Sequence, residues 1–150
     1  MAYKSQPTIT RPANTTAYTA GDVVGGVISF PEIPKGKTVV VAWASLMRYV
    51  SAIVSGETSY SLKLYDGSPP SAYADNAAWD LPAGDRDSFI TSLSLGSPAD
   101  QGSSLFTDVD LNKIINAGRG LYGYLVTNGA YTPGSADVAK VSLLAEDWAG

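Results

Sequence analysis

The chain has 150 residues, with 10 basic and 14 acidic side chains, a net charge of −4, and neither cysteine nor histidine. The missing cysteines exclude a disulfide framework and thiolate metal sites; the missing histidines remove the commonest general base and transition-metal ligand. A chain of this length suits one domain with its own core, and the acidic balance argues against a surface for duplex nucleic acid.

Residues 1–20 carry few large apolar side chains, chiefly Tyr3, Ile9 and Tyr18. Pro7 and Pro12 hold φ near about −65° and push the residues before them toward extended geometry. The segment is expected to be an extended N-terminal arm with Lys4 and Arg11 on it, lying on its own domain or on a neighbour. A frayed end is the alternative. A β-domain is then expected over 21–150.

Gly21-Asp22 reads as a turn, and Val23 to Phe30 as a strand with a bulge at Gly25-Gly26. Pro31 and Pro34 end it. Thr38 to Ile53 is the strongest strand pattern. Alternation places Val39, Val41, Trp43, Ser45, Met47 and Tyr49 on one face, and Val40, Ala42, Ala44, Leu46, Arg48 and Val50 on the other. Both faces are largely apolar, whereas an outer sheet face should be polar. Either the strand is covered on both sides or its second face meets a partner.

Tyr60, Leu62 and Leu64 alternate with Ser61 and Lys63 as a half-buried strand. Asp66-Gly67-Ser68-Pro69-Pro70 stops it, and a loop anchored by Tyr73 and Trp79 runs on to Pro82. Ser88 to Leu95 is the next strand. Over 103–118 the pattern predicts a short strand at Leu105-Phe106, then a short helix. Asp110 would cap it, Leu111, Ile114 and Ile115 would form its buried stripe, and Gly118 would stop it. Leu121 to Thr127 is again apolar on both sides, with Leu121, Gly123 and Leu125 opposite Tyr122, Tyr124 and Val126. Ala139 to Glu146 is the last strand, and Trp148 is expected to plug the end of the core.

Charged residues make up 16% of the chain, below the roughly 25% usual for soluble domains, and tyrosine (9) outnumbers phenylalanine (3). Short valine- and tyrosine-rich runs between many turns indicate an all-β chain, an antiparallel two-sheet β-sandwich of jelly-roll-like type. A low-charge surface also fits burial against other subunits. No apolar stretch follows Met1 to Pro7, and Val39 to Leu46 is far shorter than the roughly 20 residues of a membrane span, so neither a secretory leader nor a membrane is expected.

Candidate chemistry is sparse. Asp108, Asp110 and Asn112 alternate as in a calcium loop, but Lys113 stands where glycine is needed and Arg119 where a glutamate is needed. Asp75, Asp80, Asp85 and Asp87 surround Arg86 and Trp79, a composition that could supply a carboxylate pair beside an aromatic. Turn residues bonding their own backbone account for them as well. Exposed aromatics near Trp79 or Tyr131 would suit a sugar face. No catalytic, cofactor or metal residue is assigned, and no cofactor is expected.

Arg11-Pro12-Ala13-Asn14-Thr15-Thr16-Ala17-Tyr18-Thr19-Ala20-Gly21-Asp22-Val23-Val24-Gly25 resembles the N-terminal signature of small tailed-bacteriophage virion proteins. Leu62-Lys63-Leu64-Tyr65-Asp66, Pro69-Pro70, Asp75-Asn76-Ala77-Ala78-Trp79, Leu121-Tyr122-Gly123 and Tyr131-Thr132-Pro133 resemble the same group. The resemblance implies a non-enzymatic capsid cement or decoration protein on the virion exterior. It implies self-association as a homotrimer and contact with the major capsid protein. A tail- or fibre-associated module, or a module binding host glycan, is the alternative. The residues expected at subunit or capsid contacts are Arg11, Tyr18, Val40, Leu46, Arg48, Tyr122 and Tyr124.

Overall fold

The structure is a computed structural model and describes residues 1–149. Its strands are β1 (Ala2–Ser5), β2 (Thr8–Thr10), β3 (Val23–Ser29), β4 (Thr38–Arg48), β5 (Tyr60–Tyr65), β6 (Phe89–Gly96), β7 (Ala99–Asp100), β8 (Leu105–Asn116), β9 (Tyr122–Thr127) and β10 (Val138–Asp147). The first sheet has the order β1-β10-β4-β8-β7, with β2 also on β10; the second has the order β3-β9-β5-β6. Every pairing is antiparallel.

The pairing identifies the fold. Set β7 aside and count β1 and β2 as one interrupted strand. The first strand then pairs with the last (β10), the second (β3) with the second-last (β9), the third (β4) with β8, and the innermost two (β5 and β6) with each other. Such a nested hairpin, wrapped into two sheets, is a jelly roll. The expected all-β sandwich is what the chain forms.

The N-terminal residues run extended, as the prolines predict, but they are part of the wrap. Pro7 has no N–H to give and interrupts the strand, while its carbonyl accepts the N–H of Val141 at 3.1 Å. Ile9 enters the core. It fits because Gly25 (φ +83°) has no side chain; a Cβ there would collide with Ile9. The N–H of Tyr18 reaches the carbonyl of Tyr131 at 2.8 Å. The N-terminal segment therefore lies on its own domain, bonded to it along β10 and at Tyr131.

β4 changes phase halfway. Val41 pairs with Ala145 and Trp43 with Leu144, so Ala42 is a bulged residue. The inward set is Val39 and Val41, then Ala44, Leu46 and Arg48. A strict alternation puts these on opposite faces, which is why both faces look apolar in the sequence. The strand ends at Arg48, short of Ile53.

The second sheet explains the other two-sided strand. Leu62, Leu64, Leu93, Leu95 and Leu125 face the main core. Val23, Tyr65, Tyr124 and Val126 form a smaller cluster on the outside, packed by Tyr73, Trp79, Leu81, Phe89 and Tyr122. The loop between β5 and β6 is thus a roof that buries the outer face within the same chain.

Two expectations fail. Residues 105–116 are the long strand β8, not a short strand and a helix. Three steps along β8 (Asp110 to Lys113) oppose two along β4 (Trp43 to Val41), and this irregularity breaks the period of two, leaving a spacing that imitates a helix. Trp148 does not plug the core: its backbone N–H bonds Thr38, and the residue is 45% exposed.

Candidate functional site

Two arginine-centred networks close one end of the sandwich. Arg48, on the inward face of β4, donates to Glu57 and, at 3.2 Å, to Asp137. Glu57 also accepts from the Tyr60 hydroxyl at 2.6 Å and from the Val54 N–H at 3.1 Å. The Arg48 guanidinium lies over the Tyr131 ring, 5.3 Å from its centroid. Burial opposes the arginine's charge, yet Tyr60, Tyr131 and Glu57 outweigh it and raise the pKa. Burial likewise pushes Tyr60 well above the usual phenol range.

The second network joins distant segments. Arg11 donates to the Tyr18 hydroxyl oxygen and, at 3.2 Å, to Asp75; the Tyr18 hydroxyl donates to Asp75 in turn. Asp75 also accepts the Gly25 N–H at 2.8 Å, and Arg11 donates to the Gly134 carbonyl at 2.7 Å. Burial, then the Asp75 bond, raises the Tyr18 pKa. A cavity of about 10 Å³ separates the networks, lined by Arg11, Arg48, Tyr131 and Asp137. Both sets of charges hold the end of the fold shut; a space that size admits about one water.

Burial corrects most of the expected contact residues. Arg11, Tyr18 and Arg48 are buried in these networks, and Leu46 and Tyr124 are 0% exposed. Their side chains are spent inside the chain and cannot meet another subunit. Val40 and Tyr122 are half-buried, Val40 on the outside of the first sheet and Tyr122 in the roofed cluster. The sequence missed Glu57, Asp137 and Tyr131 as partners of Arg48. A charge at an inward strand position, which needs an opposite charge nearby, was the available signal.

The acidic cluster is dispersed among structural tasks. Asp75 is held by Arg11 and Tyr18; Asp85 is buried and accepts the Ser71 N–H at 3.0 Å. Asp80 and Asp87 are exposed. Tyr131 is buried, and Trp79 lies between Phe89 and the Lys63 ammonium, its N–H bonded to the Tyr65 hydroxyl at 2.9 Å. Neither ring is laid out as a sugar platform. Asp108 and Asp110 sit on the extended strand β8, which does not wrap a cation as a loop does; Asp108 accepts the Trp43 indole N–H at 3.0 Å.

What remains open is the outer face of the first sheet. Bulge and register together place Val40, Trp43, Ser45 and Met47 there, beside Glu146, Leu144, Ser142 and Lys140 of β10 and Ile114, Asp110, Asp108 and Phe106 of β8. Ile114 is 50% exposed, and Trp43, Met47, Phe106 and Leu144 are half-buried. Lys4, Ala42, Trp43, Asp110 and Leu144 line a shallow groove of about 540 Å³. Among the described residues this face has no cover like the β5–β6 loop, but Ser45 and Ser142 at its centre are buried, and Gln6, between β1 and β2, donates to the Ser142 hydroxyl at 3.3 Å.

No family model and no curated protein matches the chain. Among solved structures it is similar to a chain of the infectious bursal disease virus Gx strain structure, at 13% identity and a TM-score of 0.37, over 98% of this chain and 33% of that one. This chain therefore spans about a third of that relative's length. It is also similar to a chain of the Israel acute paralysis virus pentamer (11% identity, TM-score 0.32, 96% and 86% covered). A third is in the mud crab dicistrovirus structure (13%, 0.33, 99% and 70%). The jelly roll rests on this chain's own strand pairing, which stands without them.

Proposed function

We propose that the chain is a structural subunit of a virus particle and, in its finer form, a decoration protein on the outside of a tailed-phage capsid. The observation that carries this is the contrast between the two sheets. One outer face is sealed by the chain's own loop, whereas the other keeps Val40, Trp43, Met47, Phe106, Ile114 and Leu144 partly in water. A rigid sandwich with one unroofed apolar sheet face is suited to stacking in an assembly, where many weak contacts add through avidity. The sequence blocks that resemble small phage virion proteins point the same way. Arg11, Arg48, Glu57, Asp75 and Asp137 are engaged in holding the fold, which supports a non-enzymatic part. The major capsid protein is the partner this reading names, and a symmetric oligomer is the form it takes on the shell.

The test is quantitative mass spectrometry of purified particles, combined with immunogold labelling. Copy numbers comparable to the major shell protein, with label over the head, are expected. A few copies per particle with label at the tail would replace this reading with a tail or fibre module. Absence from particles would end it.

A further inference from the structure

We propose that two copies of this chain pair face to face through the outside of the first sheet, about a two-fold axis running across the strands. This goes beyond the particle reading and does not depend on it. It rests on a pattern in the outward residues of the two central strands. Along β10 they run Lys140, Ser142, Leu144, Glu146; their neighbours along β4 are Met47, Ser45, Trp43, Val40. Read backwards, each strand complements itself: base meets acid, small meets large, and apolar meets apolar.

A two-fold axis between the Ser142–Ser45 and Leu144–Trp43 pairs would carry out that reversal. It sets Glu146 of each copy against Lys140 of the other, and Met47 against Val40. On β8 it sets Phe106 against Ile114, since these flank Met47 and Val40 in the register. The flexible Met47 side chain of one copy then reaches the groove beside Ala42, Trp43 and Leu144 of the other. Lys140 and Glu146 lie about 20 Å apart along one strand, too far to satisfy each other. Neither has an ion-pair partner among the described residues. Asp108 against Asp110 of the second copy is a like-charged juxtaposition, and the two-fold axis makes it twice. It falls toward the rim on β8, where solvent screens it, and Asp108 already accepts the Trp43 N–H.

Size sets the expected strength. Four strands across and about seven residues along give a face of about 15–20 by 20–25 Å. That is about 300–500 Å² per partner, below the roughly 600–1,000 Å² of a standard interface, so the pair should be weak and reversible. Two-fold contacts of one patch with itself are the commonest way identical chains associate.

The experiment is sedimentation velocity of the intact chain over a range of concentrations at low salt, with thermal unfolding run on each variant as a check of fold. Wild type should show a monomer–dimer equilibrium that weakens as salt is raised. Lys140→Glu and Glu146→Lys should each raise the dissociation constant about tenfold or more, because each reverses both symmetric ion pairs. The double variant should restore it, and Asp110→Asn should tighten it. A monomer at the highest concentration, or a dimer or trimer indifferent to these four variants, overturns the proposal. Loss of capsid binding in Lys140→Glu, with free wild type monomeric, would also overturn it and give the face to a shell protein.

Discussion

Replacing Arg48 by alanine tests the account of how the sandwich is closed. The guanidinium is buried and bonds two carboxylates; the Glu57 side chain is itself 1% exposed and also takes the Tyr60 hydroxyl and the Val54 N–H. Alanine leaves Glu57 charged and buried without its cation, strips the cover from Tyr131 and opens space beside the existing cavity. Removing one partner of a buried pair costs about 3–5 kcal/mol. At about 3 °C per kcal/mol for a chain of this length, the midpoint should fall by about 12 °C. The assay is calorimetric or circular-dichroism melting at neutral pH, with urea unfolding to check that the slope is unchanged. A triple variant, Arg48→Met with Glu57→Gln and Asp137→Asn, removes all the charges together and should recover most of the loss. If Arg48→Ala melts within about 2 °C of wild type, or the triple variant is no better than the single one, the pair is not what holds this end.

Further outcomes follow from other parts of the molecule. Leu46→Ala, at a position 0% exposed, should cost about 3–4 kcal/mol in urea unfolding by leaving a cavity between the sheets. Gly25→Ala should dislodge Ile9 as well as strain a φ of +83°; hydrogen exchange should show β2 and its β10 partners losing protection ahead of the second sheet. Deleting residues 1–10 removes β1 and β2 and bares one edge of β10, so the product should aggregate or unfold rather than remain an intact domain without an arm. Burial raises the pKa values of Tyr18, Tyr60, Tyr131 and Tyr65, the last to about 12. The folded chain keeps these protons where the unfolded chain, at about 10, releases them, so stability is full below about pH 10 and falls as pH rises through the folded values. Absorbance at 295 nm and circular dichroism should therefore change together in alkali; phenol titration with ordinary midpoints and an intact spectrum would contradict the burial.

Regular alternation made the strands of the second sheet readable. Tyr60 to Leu64, Ser88 to Leu95 and Leu121 to Thr127 each lie within a residue or two of β5, β6 and β9. Reading failed where register slips. In β4, the Ala42 bulge exchanges the two faces, so Leu46 and Arg48 read as a second surface when they continue the first. In β8, the slip near Lys113 spaces Leu111, Ile114 and Ile115 like a helix stripe. The first ten residues lack the apolar density of a buried strand because they lie at a sheet edge and contribute chiefly backbone bonds. The charge networks were not legible because Arg11 with Asp75, or Arg48 with Asp137, are brought together only by the wrap. The apolar excess itself was informative, but the part of it on β9 is covered by the roofing loop.

The first and last described strands end side by side. The Met1 ammonium lies 3.4 Å from an Asp147 carboxylate oxygen, and the Asp147 N–H donates to the Met1 carbonyl at 3.2 Å. A peptide fused ahead of Met1 and another fused behind residue 149 would therefore emerge from one corner, as a matched pair of tethers. A short bridging linker between them would turn the polypeptide into a ring that could be reopened at the exposed Gln101–Ser103 turn, giving a circular permutant with its ends on the opposite edge of the same sheet.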